Sequence, residues 1–110
     1  NRFVAAVESH DQNAVLSMMD KSYRKEQLKF LEGRTEQFID ELFGGDDIFT
    51  EEYINTRFVN ITKIEVAEII PQGNGDFEYI FRIQEGHHDL LKSLLLRKNK
   101  NKFGFIGAMG

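Results

Sequence analysis

Two short segments contain the residue types that could support metal or acid–base chemistry. His87, His88 and Asp89 are consecutive, and Asp46–Asp47 follow a pair of glycines. Adjacent side chains of an extended segment point to opposite faces, so the two histidines would share a metal ion only if a turn redirected them. The alternating acidic spacing of a calcium-binding loop is absent around Asp46. We therefore expect exposed turn residues at 87–89 and a solvated helix end at 46–47, with no metal and no cofactor.

Two further acids are the best-placed candidates if the protein were an enzyme. Asp11 has a simpler explanation as a helix N-cap, because its carboxylate can accept the free N–H groups of the next turn. Asp40 lies one turn after Glu36 and outside the apolar stripe of its helix, which is typical of a solvated face. The sequence contains neither cysteine nor the Gly-x-Ser-x-Gly signature of serine hydrolases. We assign no catalytic residue.

Aromatic side chains are the positive feature of the sequence, which has ten Phe and three Tyr. Phe77, Tyr79 and Phe81 share one face of a predicted strand, and Phe103 and Phe105 share a face of another. Most of them are expected to be in the core. A tyrosine in an apolar row, however, usually needs a partner for its hydroxyl. We therefore predict that Tyr79 lines a ligand pocket, with Phe81 and Phe105 as its apolar walls.

Three helices are predicted in the first half of the chain. A short helix around Phe3 precedes a second helix that Asp11 caps. A third helix, capped by Asp20 or Ser22, continues to the glycine pair at 44–45. Its inward stripe has spacings of three and four: Leu28, Leu31, Thr35, Phe38 and Leu42. Gly33 lies within this helix and marks either a break or a close packing contact.

The second half of the chain is predicted to form strands. Residues 46–57 are open between a short helix capped by Thr50 and an irregular excursion with a short strand. Ile64, Val66 and Ile70 share a parity in the first long strand. Four strands with short connections follow one another, which favours an antiparallel meander: residues 61–70, 77–84, 90–97 and 103–109. Helices followed by an antiparallel sheet indicate one α+β domain, with three helices on the concave side of a strongly curved sheet.

Charge and composition exclude several classes of function. Fourteen basic and eighteen acidic residues give a net charge of −4, whereas nucleic-acid binding needs a basic face for phosphates. The basic run 97–102 is expected to be a solvated hairpin tip. Without cysteine the chain has no disulfide framework. No apolar run approaches the roughly 18 residues of a membrane span. We therefore expect neither a nucleic-acid partner nor a membrane span.

The first residue bears on localisation. Asn1 is not an initiator residue, so the chain is either a processed product from which a signal peptide was removed or a trimmed one. Of the two compartments considered, an exported bacterial location, periplasmic or on the surface, is preferred to the cytoplasm.

Residues 3–19 resemble the N-terminal part of proteins of the nuclear transport factor 2-like superfamily. In those proteins a short helix, a polar break ending in Asp and a second short helix follow one another. The resemblance lies in the order of elements and covers nearly the whole chain. It implies a cystatin-like α+β cone whose helices pack into a bent sheet and often leave a pocket. The superfamily includes ketosteroid isomerases, polyketide cyclases, dehydratases and non-enzymatic domains, so the fold alone does not determine function.

Two functions follow from these observations. The first is a non-catalytic binding or interaction module that holds a small apolar ligand in the cone. The alternative is a small pocket enzyme of the isomerase, cyclase or dehydratase type. Enzymes of the superfamily pair an acid or a histidine with Tyr or Asp in the pocket, and no such pair maps onto this sequence. We expect the binding module, and a buried acid or histidine facing Tyr79 would favour the enzyme.

The strand over residues 90–97 predicts a homodimer, because it is apolar on both faces. Leu90, Leu94 and Leu96 share one face, while Leu91 and Leu95 share the other. Only one face can pack on the helices, and an exposed apolar patch of this kind is rare on a soluble monomer. Superfamily members also often pair through this surface. We therefore predict a homodimer through the outer sheet face, with Leu91 and Leu95 at its interface.

Overall fold

The computed structural model describes residues 2–107, and this part of the chain begins with four helices: α1 Arg2–Glu8, α2 Gln12–Ser17, α3 Lys21–Phe30 and α4 Thr35–Phe43. Asp11 caps α2 as predicted, since Ala14 N donates to its carboxylate over 3.1 Å. Asp20, rather than Ser22, caps α3, and Tyr23 N donates to its Oδ2 over 3.0 Å. Within residues 2–107, no helix is both long and apolar enough to cross a membrane.

The predicted third helix is in fact two helices, α3 and α4, separated by a left-handed turn. Glu32 and Gly33 have φ values of 55° and 78°. Gly33 N donates to Leu28 O over 2.7 Å, and Glu32 N donates to Lys29 O over 3.2 Å. These two bonds form a Schellman motif, which ends a helix by satisfying its last carbonyls. Gly33 is therefore the break that the sequence left open.

Six antiparallel strands form an open sheet: β1 Gly45–Asp47, β2 Tyr53–Ile54, β3 Ile61–Pro71, β4 Phe77–Glu85, β5 His88–Asn99 and β6 Lys102–Gly107. Their order is β2-β1-β5-β4-β3, and β6 also pairs with β5. The twelve residues of β5 allow one edge to pair with β1 at its start and with β6 from Leu94 onward. The antiparallel meander β3 to β6 and the α+β class are confirmed. Residues 46–57, left open between a short helix and a short strand, contain the short strand β2 and part of β1.

Two bulges in β3 change the predicted strand parity. Thr62 and Ala67 are extra residues, since the pairing with β4 shifts at each of them. An extra residue reverses which face the following side chains occupy and bends the strand. Ile70, which pairs with Glu78, therefore does not share a face with Ile64 and Val66. The inner face instead receives four residues of β3: Ile61, Ile64, Val66 and Ile69. The first three belong to the core or pack against it, whereas Ile69 is 47% exposed.

The core lies between the helices and the inner face of the sheet. Phe3 of α1 is at its centre, with ring centroids 4.6 Å from Phe105, 5.3 Å from Phe81 and 6.1 Å from Phe43. All four rings are buried. Three members of the predicted helical stripe are also buried, and Leu28 packs partly against the core: Leu31, Phe38 and Leu42.

The connection between α2 and α3 pairs with the free edge of β6. Asp20 N donates to Phe105 O over 2.7 Å, and Phe105 N donates to Met18 O over 2.9 Å. Gly104 makes this approach possible, because a Cβ there would lie 2.5 Å from Asp20 Cα. The contact covers an edge that would otherwise expose unpaired backbone groups, and it brings the end of α2 next to the aromatic face of the sheet.

Candidate functional site

A cavity of about 310 Å³ lies between the start of α1, the end of α2 and the inner faces of β4, β5 and β6. Tyr79 and Phe105 belong to its lining. Its wall combines four residues from the strands, three from the helices and one that follows α2: Tyr79, Leu96, Phe103 and Phe105, then Arg2, Phe3 and Ser17, and Met18. We call this space the apolar cavity, because five of its eight described lining residues are apolar.

The three residues predicted to form the pocket are neighbours, but they do not play equal parts. The Tyr79 ring meets the Phe105 ring edge-on, with centroids 5.4 Å apart. Phe81 is fully buried behind both, with its centroid 5.9 Å from that of Tyr79 and 6.2 Å from that of Phe105. Phe81 therefore supports the wall without lining the cavity. Ligand binding by these residues stays a prediction.

The candidate acid–base groups lie elsewhere. Among residues 2–107, no Asp, Glu or His lines the apolar cavity. His10 Nε2 is 2.7 Å from Ile61 O. Asp40, predicted to be on a solvated helix face, instead accepts a hydrogen bond from Phe58 N over 2.8 Å and pairs with Arg57. This carboxylate therefore caps the short 3₁₀ helix Phe58–Asn60 and has a structural role.

The segments predicted to be a solvated helix end and an exposed turn each contain a buried carboxylate. Asp47 is buried, and its Oδ1 accepts hydrogen bonds from Phe49 N over 2.8 Å and Thr50 N over 3.1 Å. His88 Nδ1 lies 3.0 Å from Asp47 Oδ2. The hydrogen bond from Phe49 and that from His88 lower the pKa of the Asp47 carboxyl. The prediction of a solvated helix end was therefore wrong for Asp47, which organises the loop after β1.

Asp89 is the second buried carboxylate of these segments. It is paired with Arg82 on the outer face, where Arg82 Nε donates to Asp89 Oδ1 over 2.9 Å. This pair lowers the pKa of Asp89. In the part of the chain that the structure describes, no group of three or more acidic or histidine side chains could hold a metal ion. The pairs Asp47–His88 and Arg82–Asp89 are therefore interpreted as structural interactions.

A larger and more basic cleft adjoins the apolar cavity. It has a volume of about 660 Å³ and lies between the start of α3 and the hairpin that joins β5 to β6. Four cations and two amides line it, and we call it the basic cleft: Lys21, Arg24, Lys100 and Lys102, with Asn99 and Asn101. Ser17 and Phe103 line both spaces. The run 97–102, predicted to be a solvated hairpin tip, contains the turn at residues 100–101, while residues 97–99 end β5 and Lys102 begins β6. Residues 99–102 form one wall of this cleft.

Sequence reasoning missed several lining residues. Leu96 had a usable signal, because its parity places it with Tyr79 on the inner face. Arg2 and Ser17 had none, since nothing in their local sequence indicates which strand they meet. Lys92 was also not predicted to lie on the inner face, where it pairs with Phe81. Burial lowers the pKa of its ammonium group, but it lies outside both the cavity and the cleft.

The chain matches no protein-family model, none of the curated proteins and none of the solved structures with which it was compared. The site is therefore interpreted from its own geometry and chemistry.

Proposed function

We propose that this protein is a non-catalytic binding module that holds a small, mainly apolar ligand in the apolar cavity. The observation that carries the proposal is the lining itself, where five apolar side chains, together with Arg2, Ser17 and Tyr79, line a space of about 310 Å³. Ligand sites are typically concave and mostly apolar, with a few placed polar groups, and their volumes begin at roughly 300 Å³. Arg2, Ser17 and the Tyr79 hydroxyl are the groups that would orient a ligand.

The same lining supports binding over the alternative of an isomerase, cyclase or dehydratase. General acid–base catalysis needs a titratable group within hydrogen-bond reach of the substrate proton. The acids and histidines of residues 2–107 lie outside the cavity wall. Asp11, Asp40 and Asp47 each accept backbone N–H groups. These acids therefore have local structural roles away from the proposed ligand.

The proposal extends to kinship with the nuclear transport factor 2-like superfamily. Its support is the order of elements: short helices separated by a polar break at Asp11, further helices, and then an antiparallel meander. The bulges at Thr62 and Ala67 add support, because bulges bend strands and a bent sheet is what the cone requires.

A neutral fluorescent probe tests the binding function. We expect N-phenyl-1-naphthylamine to bind the wild-type protein and Leu96→Trp to weaken its binding at least roughly tenfold, since a larger side chain fills the cavity. Phe49→Ala is the matched control, because Phe49 is exposed and lies outside the cavity. Circular dichroism would confirm that each variant folds. Equal affinity in the wild-type and Leu96→Trp proteins would contradict the proposed site.

We further propose that the outer sheet face forms a homodimer. Leu90 and Leu94 are fully buried on the inner face, whereas Leu91 on the outer face is 45% exposed and Leu95 is half-buried. This distribution agrees with the predicted division of the strand between two faces. Light scattering at high micromolar concentration should give a dimer mass for the wild type and a monomer mass for Leu91→Asp. Val59→Asp, at another exposed apolar position, is the control. A wild-type monomer would overturn the dimer.

A further inference from the structure

We infer that the ligand is an amphipathic anion, a single-chain molecule whose apolar tail lies in the apolar cavity and whose carboxylate or phosphate head lies in the basic cleft. This inference rests on the proposed binding function and adds the chemical class of the ligand. Its basis is that a space lined mainly by apolar residues adjoins a cleft lined by four cations.

The two spaces adjoin at Ser17 and Phe103, which line both of them. Phe103 is half exposed on the inner face of β6, and Lys98 Nζ lies 6.0 Å from the centroid of its ring. One side of this position is therefore aromatic and aliphatic, while the other is cationic. A molecule with one apolar end and one anionic end would be complementary to both sides of this position.

The charge distribution favours an anion in the basic cleft. Its four cations are accompanied by a single acid, Asp20, so the cleft carries +3 and the rest of the chain −7 within the total of −4. Asp20 is buried, and its Oδ2 accepts the N–H of Tyr23 over 3.0 Å. Its charge therefore stabilises the start of α3, and the cleft keeps an excess of positive charge.

Two features prepare the cleft for an anionic head. Arg24 Nη1 donates to Leu16 O over 2.9 Å, which holds the guanidinium at the wall and leaves its other N–H groups available. Lys100 has a φ of 60° at the tip of the hairpin, which places it with Lys102 on the opposite wall. Cations from two separate elements therefore face one space, where an anion would interact with both.

Calorimetric titration of the full chain tests the inference with four probes, namely monomeric decanoate, decanol, inorganic phosphate and phosphatidylglycerol vesicles. Decanoate should bind at least tenfold more tightly than decanol, and added salt should reduce the difference, because exposed charges are screened. Lys100→Gln/Lys102→Gln should weaken decanoate roughly tenfold, as expected for two exposed charge interactions, and leave decanol unchanged. Lys29→Gln/Lys63→Gln, at two exposed lysines outside the cavity and the cleft, is the charge-matched control.

Each contrary outcome has a distinct meaning. Equal binding of decanoate and decanol, both weakened by Leu96→Trp, would overturn the anionic head while the proposed binding function stands. Binding of neither probe would overturn both. Phosphate bound as tightly as decanoate would reduce the cleft to a separate anion site and overturn the amphipathic ligand. Binding to phosphatidylglycerol vesicles without binding to monomeric decanoate would overturn it in favour of a lipid surface.

Discussion

Replacing Gly104 by alanine tests how the connection between α2 and α3 is held against β6. A Cβ at this position would lie 2.5 Å from Asp20 Cα and 2.6 Å from Asp20 N, and backbone atoms cannot rotate away as the end of a side chain can. The strand would have to move, which weakens the two hydrogen bonds that Phe105 makes with Asp20 and Met18. Overpacking costs about 1–3 kcal/mol, and each weakened bond about 0.5–1.5 kcal/mol. We expect a loss of about 3 kcal/mol in the free energy of unfolding.

Urea and thermal unfolding followed by circular dichroism would measure this loss. In a chain of this size it corresponds to a decrease of roughly 10–20 °C in the melting temperature. Gly73→Ala is the control, because Gly73 has a φ of +84° and nothing within 4 Å of an added Cβ. That variant should lose only the cost of a left-handed alanine, about 1–2 kcal/mol. If Gly104→Ala were no less stable than Gly73→Ala, the close backbone contact would be refuted.

Four further predictions concern acid stability, capping, packing and partners. Asp47→Asn should be less stable than the wild type at neutral pH and should lose less stability on acidification. The lowered pKa of Asp47 means that its ionised form stabilises the fold above the unfolded-state pKa, and this contribution is lost as the pH falls below about 4 through the folded-state pKa; urea titrations with identical pH slopes would contradict this. Asp20→Ala should lose about 1 kcal/mol with its cap, whereas Asp20→Asn should keep most of it, and thermal melts in which both lose equally would argue against the cap. Phe81→Ala should lose about 3–5 kcal/mol because its ring is fully buried; a loss under about 1 kcal/mol in urea would be inconsistent with that burial. At physiological salt, filter binding should detect no submicromolar affinity for a DNA or RNA oligonucleotide, and such affinity would show that the net charge misleads.

Local features of the fold were predictable because a few consecutive residues determine them. Asp11 and Asp20 cap helices through hydrogen bonds from residues three positions later. Such bonds depend only on residues that are close in the sequence. The stripe of α4 is buried as its spacing predicts, because a helix has a fixed period. The alternation of β4 likewise placed Tyr79 on the inner face, since this strand pairs with β5 without an extra residue.

Prediction failed where a local pattern depends on a distant partner. The bulges at Thr62 and Ala67 exist only relative to β4, so alternation counted along β3 alone assigned Ile70 to the wrong face. The burial of Asp47 has the same origin, because His88, one of its partners, is 41 residues away. Packing of the whole domain decides which chain segments come into contact. The local sequence around Asp47 or Ile70 therefore does not predict these contacts.

The sequence by itself determined the α+β class, the aromatic inner face and the division of β5 into two apolar faces. The reason is that the spacing of apolar residues predicts which side chains lie on the same face of a helix or strand. Only the tertiary structure decided what that face meets. It buried Phe81, left Tyr79 and Phe105 at a cavity, and brought Arg2 and Ser17 to its wall. Parity specifies a face of a strand, but a cavity is the space that remains after helices pack on that face, and that space depends on contacts between residues far apart in the chain.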